Sequence, residues 1–112
     1  MANIELIKEI CNALNDKKAE KTTAIDISEI SIMADAFIIT NGSNTSQIDA
    51  MVDAVNEVMM KYPDNETHTE GNSASGWILM DCGDIVIHIF TREARDFYNL
   101  EKIWKDGKIL DI

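Results

Sequence analysis

The chain has 112 residues and a mass of 12.6 kDa, enough for one domain with a real core: a folded chain of this mass exposes about 6,200 Å², against roughly 18,000 Å² unfolded. Apolar residues make up 46% and charged residues 27%, with five glycines and one proline, which excludes disorder, collagen-like repeats and low-complexity linkers. Twenty acidic against ten basic residues give a net charge of −10; that argues against bare nucleic acid or an anionic membrane as a partner, and no apolar run approaches a membrane span.

In chain order, Ile4, Ile7, Cys11 and Leu14, with Leu6 and Ile10, recur at helical spacing, so residues 3–15 are expected to form an amphipathic helix. After the polar break Lys17-Lys18-Ala19-Glu20-Lys21, a short strand is expected over Thr22 to Ile27 and a second over Ala36 to Thr40, closed by a turn at Asn41-Gly42-Ser43. A long helix follows, capped by Asn44 or Ser43, with Gln47 placed for a capping box and Ile48, Met51, Val52, Val55 and Met59 as its buried stripe. Asp49, Asp53 and Glu57 stack on another face at a spacing that disfavours the helix slightly.

Tyr62-Pro63-Asp64-Asn65 ends that helix, and residues 66–75 read as a weak edge strand and a loop. The clearest β signal is Trp77-Ile78-Leu79-Met80, the turn Asp81-Cys82-Gly83-Asp84, then Ile85 to Phe90, a hairpin whose strands are apolar on both faces and so covered on both. Thr91 caps a last helical region in which Phe97, Leu100 and Trp104 recur, and Gly107 closes it. The expected order is α-β-β-α-β-β-β-α. The fold class is α/β (α+β), one domain over 1–112 with a mixed sheet of about five strands flanked by helices.

The acidity belongs to the middle of the chain: residues 22–60 carry six acids and no Lys or Arg, and residues 61–101 carry eight acids against Lys61, Arg92 and Arg95. Cys11 and Cys82 have no CxxC spacing, and Met1-Ala2-Asn3-Ile4-Glu5 runs straight into a helical pattern, so free thiols and a reducing cytoplasm are expected. Neither histidine is placed as a catalytic base: His88 reads as a structural strand residue and His68 as a solvated one. The lone Cys and His residues give no zinc spacing. Gly42-Ser43, between a strand and a helix, is where nucleotide-transferring enzymes approach a triphosphate, but no Asp-x-Asp follows on a strand, so no catalytic residue, cofactor or metal is expected. What stands out is a mixture of acids with large apolar groups: Trp77, Asp81, Asp84, Asp96, Tyr98 and Glu101. Trp77 reads either as core packing or as an interface anchor, and Trp104 as the contact that docks the C-terminal helix on the sheet.

These residues carry a resemblance. Ala34-Asp35-Ala36-Phe37-Ile38-Ile39-Thr40-Asn41-Gly42-Ser43, the run from Glu70-Gly71 through Gly76-Trp77 to Phe90, and Arg95 to Trp104 are similar to the signatures of the ribosomal silencing factors, the RsfS or Iojap family, over roughly Asp26 to Trp104. The resemblance implies a nucleotidyltransferase-like fold without the catalytic carboxylates. It also implies binding to the large ribosomal subunit through the fourteenth of its numbered proteins. Such binding blocks joining of the small subunit and represses translation when nutrients are limiting. A homodimer when free is implied too. Carried onto this chain, Trp77 and Ile78 become the apolar anchor; Tyr98 is expected among the partner-binding residues, and Asp81, Asp84, Asp96 and Glu101 are expected, from charge and position, to face a basic partner. Ala36 and Ser46 depart from the family pattern, which tends to have a bulkier residue and an arginine there. A large-subunit assembly factor using the same surface and a degenerate nucleotide-binding enzyme remain as alternatives.

Overall fold

The side-chain oxygen of Asn3 accepts hydrogen bonds from the backbone N–H of Glu5 (2.9 Å) and Leu6 (3.3 Å), and this cap opens the first helix, α1 (Ile4–Asp16). The computed structural model describes residues 3–110, the side chain of Ile103 excepted. The other elements are β1 (Glu20–Asp26), β2 (Ala36–Gly42), α2 (Thr45–Met59), β3 (His68–Glu70), β4 (Trp77–Asp81), β5 (Ile85–Thr91), α3 (Arg92–Tyr98), α4 (Leu100–Ile103) and β6 (Lys108–Ile109). The sheet order is β3-β4-β5-β2-β1-β6. β2 and β5 run parallel, from Ala36↔Ile85 to Gly42↔Thr91, and the other pairings are antiparallel. Parallel neighbours need a crossover, and α2 with the β3–β4 hairpin supplies it.

Alternation along the strands sorts the side chains onto two faces. Ile38 of β2, Ile87 and Ile89 of β5, and Ile78 and Met80 of β4 pack with Leu6, Ile7, Ile10 and Leu14 of α1 and with Ile48, Met51 and Val55 of α2. On the other face Ile25, Ile39 and Phe90 are buried, with Phe37, Trp77, Val86, Ala94, Leu100 and Trp104 packed against them. The rings of Phe37 and Trp104 meet edge to face at 5.2 Å, so Trp104 docks the C-terminal segment as its spacing implied.

The structure departs from the sequence expectations in two elements. A sixth strand, β6, adds to β1 through Ile25↔Ile109 and Asp26↔Lys108. Gly107 permits it, because a Cβ there would lie 2.5 Å from Ile25 Cγ2 and 3.0 Å from the Asp26 carbonyl oxygen. The last helical region is also not one helix. Asn99 takes a left-handed conformation, φ 46° and ψ 57°, and divides α3 from α4. Asn tolerates that region better than most residues. The break turns Phe97 out of the expected buried stripe and leaves it 81% exposed.

Candidate functional site

Trp77 and Phe90 are cross-strand partners on β4 and β5, and their rings lie 5.3 Å apart. Tyr98, at the end of α3, lies over Trp77 at 4.6 Å, and Phe97 meets Tyr98 edge to face at 5.1 Å. Trp77 is half-buried; Phe97 and Tyr98 are exposed. The result is an aromatic cluster: Phe90, Trp77 and Tyr98 touch pairwise, with Phe90 and Tyr98 6.0 Å apart, and Phe97 lies outermost against Tyr98. Exposed Glu93 and Asp96 share the short helix α3, and half-buried Glu101 lies in α4.

His88 supports the stack from below. It is 4% exposed, and its Nδ1 accepts a hydrogen bond from Trp77 Nε1 at 3.2 Å. A neutral ring that accepts at Nδ1 carries its proton on Nε2, which has no hydrogen-bond partner among the described residues. Phe37 lies edge-on to the ring at 4.7 Å. Burial pushes the His88 pKa down from 6.5 to about 4. Above pH 6.5 the unfolded and folded chains both hold a neutral imidazole. Below it the unfolded chain takes up a proton that the folded one refuses, so stability falls with pH until about 4. By about pH 5 this loss amounts to about 2 kcal/mol, read as the shift in urea midpoint from about pH 7.5. His88→Gln is expected to flatten the profile above pH 5; a wild-type profile already flat there would contradict a buried neutral imidazole.

The side chains expected to meet a partner separate into groups. Trp77 and Tyr98 come together at the end of the sheet where β4 begins and β5 ends, and Asp96 shares the helix of Tyr98, whereas Asp96 and Glu101 line a cleft with Arg92 and Arg95. Asp81 and Asp84 do not join them: Asp81 is four residues further along β4, about 13 Å away, and caps the hairpin turn by accepting from Gly83 N at 3.0 Å. Asp84 is in that turn, where its carbonyl oxygen accepts from Asp35 N and Ala36 N. Ile78 is a correction. It points to the helix layer and is 3% exposed, because neighbours along a strand face opposite ways; it cannot touch a partner while the fold is intact. Glu101 is not a free charge either, since its Oε1 lies 3.4 Å from Arg95 Nε. Phe97, which helical spacing placed in the core, is the most exposed ring of the stack; the only sequence signal for this was the Tyr98-Asn99 step that ends α3. Asp49, Asp53 and Glu57 are exposed on α2, on the other side of the sheet.

The Gly-Ser turn before α2 is closed on itself. Ser43 donates both its backbone N–H (2.6 Å) and its hydroxyl (2.8 Å) to Gln47 Oε1, and Asn44 Oδ1 caps Gln47 N at 2.8 Å. Gly42 is there for packing, as a Cβ would lie 2.8 Å from Ile48 Cγ1. The N–H that would approach a phosphate is thus already engaged. Both cysteines are buried, and burial pushes their thiols up, Cys11 to about 11, which makes poor nucleophiles. Among the described residues, no cluster of three or more His, Cys, Asp or Glu side chains could hold a metal ion, and no helix is long and apolar enough to cross a membrane.

Fold and site together define a small α+β protein with a mixed sheet that presents an aromatic face rimmed by acids. Residues 1–112 match the family described as "Ribosomal silencing factor during starvation". The chain is 36% identical over 112 residues to the ribosomal silencing factor RsfS of Halalkalibacterium halodurans, covering all of this chain and 96% of that one. A crystal structure of a Bacillus halodurans protein superposes with a TM-score of 0.83 at 34% identity, covering 98% of this chain and 100% of that one. A mouse protein named "Mitochondrial assembly of ribosomal large subunit protein 1" is 30% identical over 102 residues, which is 88% of this chain and 44% of the mouse protein. The chain belongs to the RsfS family of ribosomal silencing factors.

Proposed function

We propose that this protein binds the large ribosomal subunit through the fourteenth of that subunit's numbered proteins. By occupying the joining surface it keeps the small subunit away and lowers translation when nutrients are short. The observation that carries the reading is the exposed Phe97–Tyr98 pair against Trp77, with exposed Glu93 and Asp96 on the same short helix, in a chain of net charge −10. Aromatic anchors with an acidic rim suit a basic protein surface that has an apolar spot. A standard interface takes about 800 Å² from each partner, roughly an eighth of the 6597 Å² this chain exposes. No chemistry is required, because a body of this size acts as a steric wedge. Exposed Ile30, Ile32 and Met33 between β1 and β2, with Ile109 on edge strand β6, offer the apolar area for the homodimer that belongs to the same reading.

The test is sucrose-gradient sedimentation of purified subunits, with and without the protein, at magnesium that permits joining. The protein should travel with the large subunit and shrink the joined-ribosome peak; a protein left at the top with joining unchanged would overturn the proposal. The name of the mouse relative favours a second reading, a large-subunit assembly factor using the same face. That reading requires the protein on precursor particles and not on mature idle subunits.

Phe97 gives the cleanest side-chain test. Truncating so exposed a ring should change stability by no more than about 0.5 kcal/mol, yet an interface anchor is worth about 2 kcal/mol or more. Phe97→Ala is therefore expected to weaken co-sedimentation by about 30-fold with an unchanged urea midpoint.

A further inference from the structure

The chain has two arginines, Arg92 and Arg95, and both line one cleft of about 520 Å³. Its position has a topological cause. Parallel neighbours β2 and β5 end side by side, but β2 leads into α2 on one face of the sheet and β5 into α3 on the other. A crevice opens where adjacent parallel strands diverge in this way, and such switch points are where open α/β sheets take ligands. Asn41 at the end of β2 and Arg95 on α3, 4% and 7% exposed, form its floor. Arg92, Lys21, Asp96 and Glu101 are further up the walls. Lys21 (φ 49°) and Asn99 (φ 46°) also line it, two of the three non-glycine residues with positive φ among those described; held backbone of this kind collects at functional sites.

The hydrogen-bond inventory shows what the cleft offers. Arg92 gives Nε (2.7 Å) and Nη2 to the Glu20 carboxylate, which leaves Nη1 without a described bond. Arg95 gives Nη1 to the Glu20 carbonyl oxygen (3.2 Å) and Asn41 Oδ1 (2.9 Å), and Nη2 has no described bond. Glu101 Oε1 is a buried acceptor with no donor in hydrogen-bonding geometry among the described residues. The cleft therefore presents the two remaining guanidinium edges, Arg92 Nη1 and Arg95 Nη2, with Lys21 for an oxyanion, and carboxylates for hydroxyl groups. Among the described residues no aromatic ring lines the cleft, so a nucleobase would find no ring to stack on. We propose that this cleft binds a sugar phosphate, the phosphate on Arg92 and Lys21 and the hydroxyls on Glu101 and Asp96. The volume is within the range of small-molecule sites, about 300–1,000 Å³. The proposal does not rest on ribosome binding.

The whole chain would be titrated with ribose 5-phosphate, inorganic phosphate and ribose while its amide and arginine Nε NMR signals are followed. Saturable shifts are expected on Lys21, Asn41, Arg92 to Asn99 and Glu101, with ribose 5-phosphate at least about tenfold tighter than either fragment. Arg92→Gln and Lys21→Gln, both at exposed side chains, should each weaken it about tenfold and leave co-sedimentation with the large subunit unchanged. Three outcomes would overturn the proposal: no saturation by about 10 mM, inorganic phosphate binding as tightly as the sugar phosphate, or shifts spread over the lysines at the chain ends.

Discussion

Trp77→Ala should produce two losses at once, in folding and in ribosome binding, and they can be told apart. The indole packs against Phe90 at 5.3 Å and Tyr98 at 4.6 Å, and its Nε1–H is the donor to buried His88 Nδ1. Truncation removes the ring contacts and leaves that nitrogen unpaired, at a cost of about 3 kcal/mol, or roughly 10–20 °C in melting temperature for a domain of this size. Tyr98 then keeps only Phe90, 6.0 Å away, to rest on, so docking should fall by about 2 kcal/mol or more even in the fraction that stays folded. Trp77→Phe separates the two. It keeps a ring under Tyr98 and loses only the N–H, so its stability cost should be about 1 kcal/mol, with most of the binding kept. A Trp77→Ala protein that melts as the parent does would contradict the packing. One that melts early yet binds the large subunit at full strength would remove Trp77 from the docking surface.

Most of the architecture was readable from periodicity, because it is local: the amphipathic stripe of α1, the Asn44 cap of α2 and the β4–β5 hairpin; the long crossover helix added that the sheet is mixed. What escaped depends on single backbone choices. Helical spacing carried Phe97, Leu100 and Trp104 along one face, and one left-handed residue, Asn99, cancelled that arithmetic. β6 is two residues long and exists because Gly107 lets the chain pass Ile25 closely. Strand alternation, in contrast, already forbade Trp77 and Ile78 from sharing a face, so the pairing of those two as one anchor was an error that the sequence itself could correct. The charge pattern pointed to acids near the aromatics but could not divide those at the hairpin tip, Asp81 and Asp84, from those beside Tyr98. The convergence of Arg92 and Arg95 with Glu20 and Asn41 spans 54 to 75 positions of sequence and leaves no periodic trace.

Arg95→Met should be the second large effect, and the reason is the cost of breaking a buried polar cluster from one side. Arg95 ties α3 to the Glu20 carbonyl of β1, to Asn41 of β2 and, through Nε, to Glu101 of α4. Methionine fills the space of the stem but leaves Asn41 Oδ1 and the Glu20 carbonyl without this donor and Glu101 without its cation. Arg95 is buried but the Glu101 side chain is more than a third exposed, so the loss rests mainly on the two buried acceptors, at about 2–3 kcal/mol, still a large share of the roughly 5–15 kcal/mol that holds such a domain together. Adding Glu101→Gln to Arg95→Met removes the stranded charge, so the double variant should recover about 1–2 kcal/mol relative to the sum of the single ones. Urea unfolding of the four proteins in this cycle gives the coupling directly. Strict additivity, or a loss below about 1 kcal/mol for Arg95→Met, would mean that α3 is held by its apolar contacts alone. Coupling of the expected size would make the Arg95 cluster the fastening that fixes the Asn99 break, and with it the outward aim of Phe97 and Tyr98.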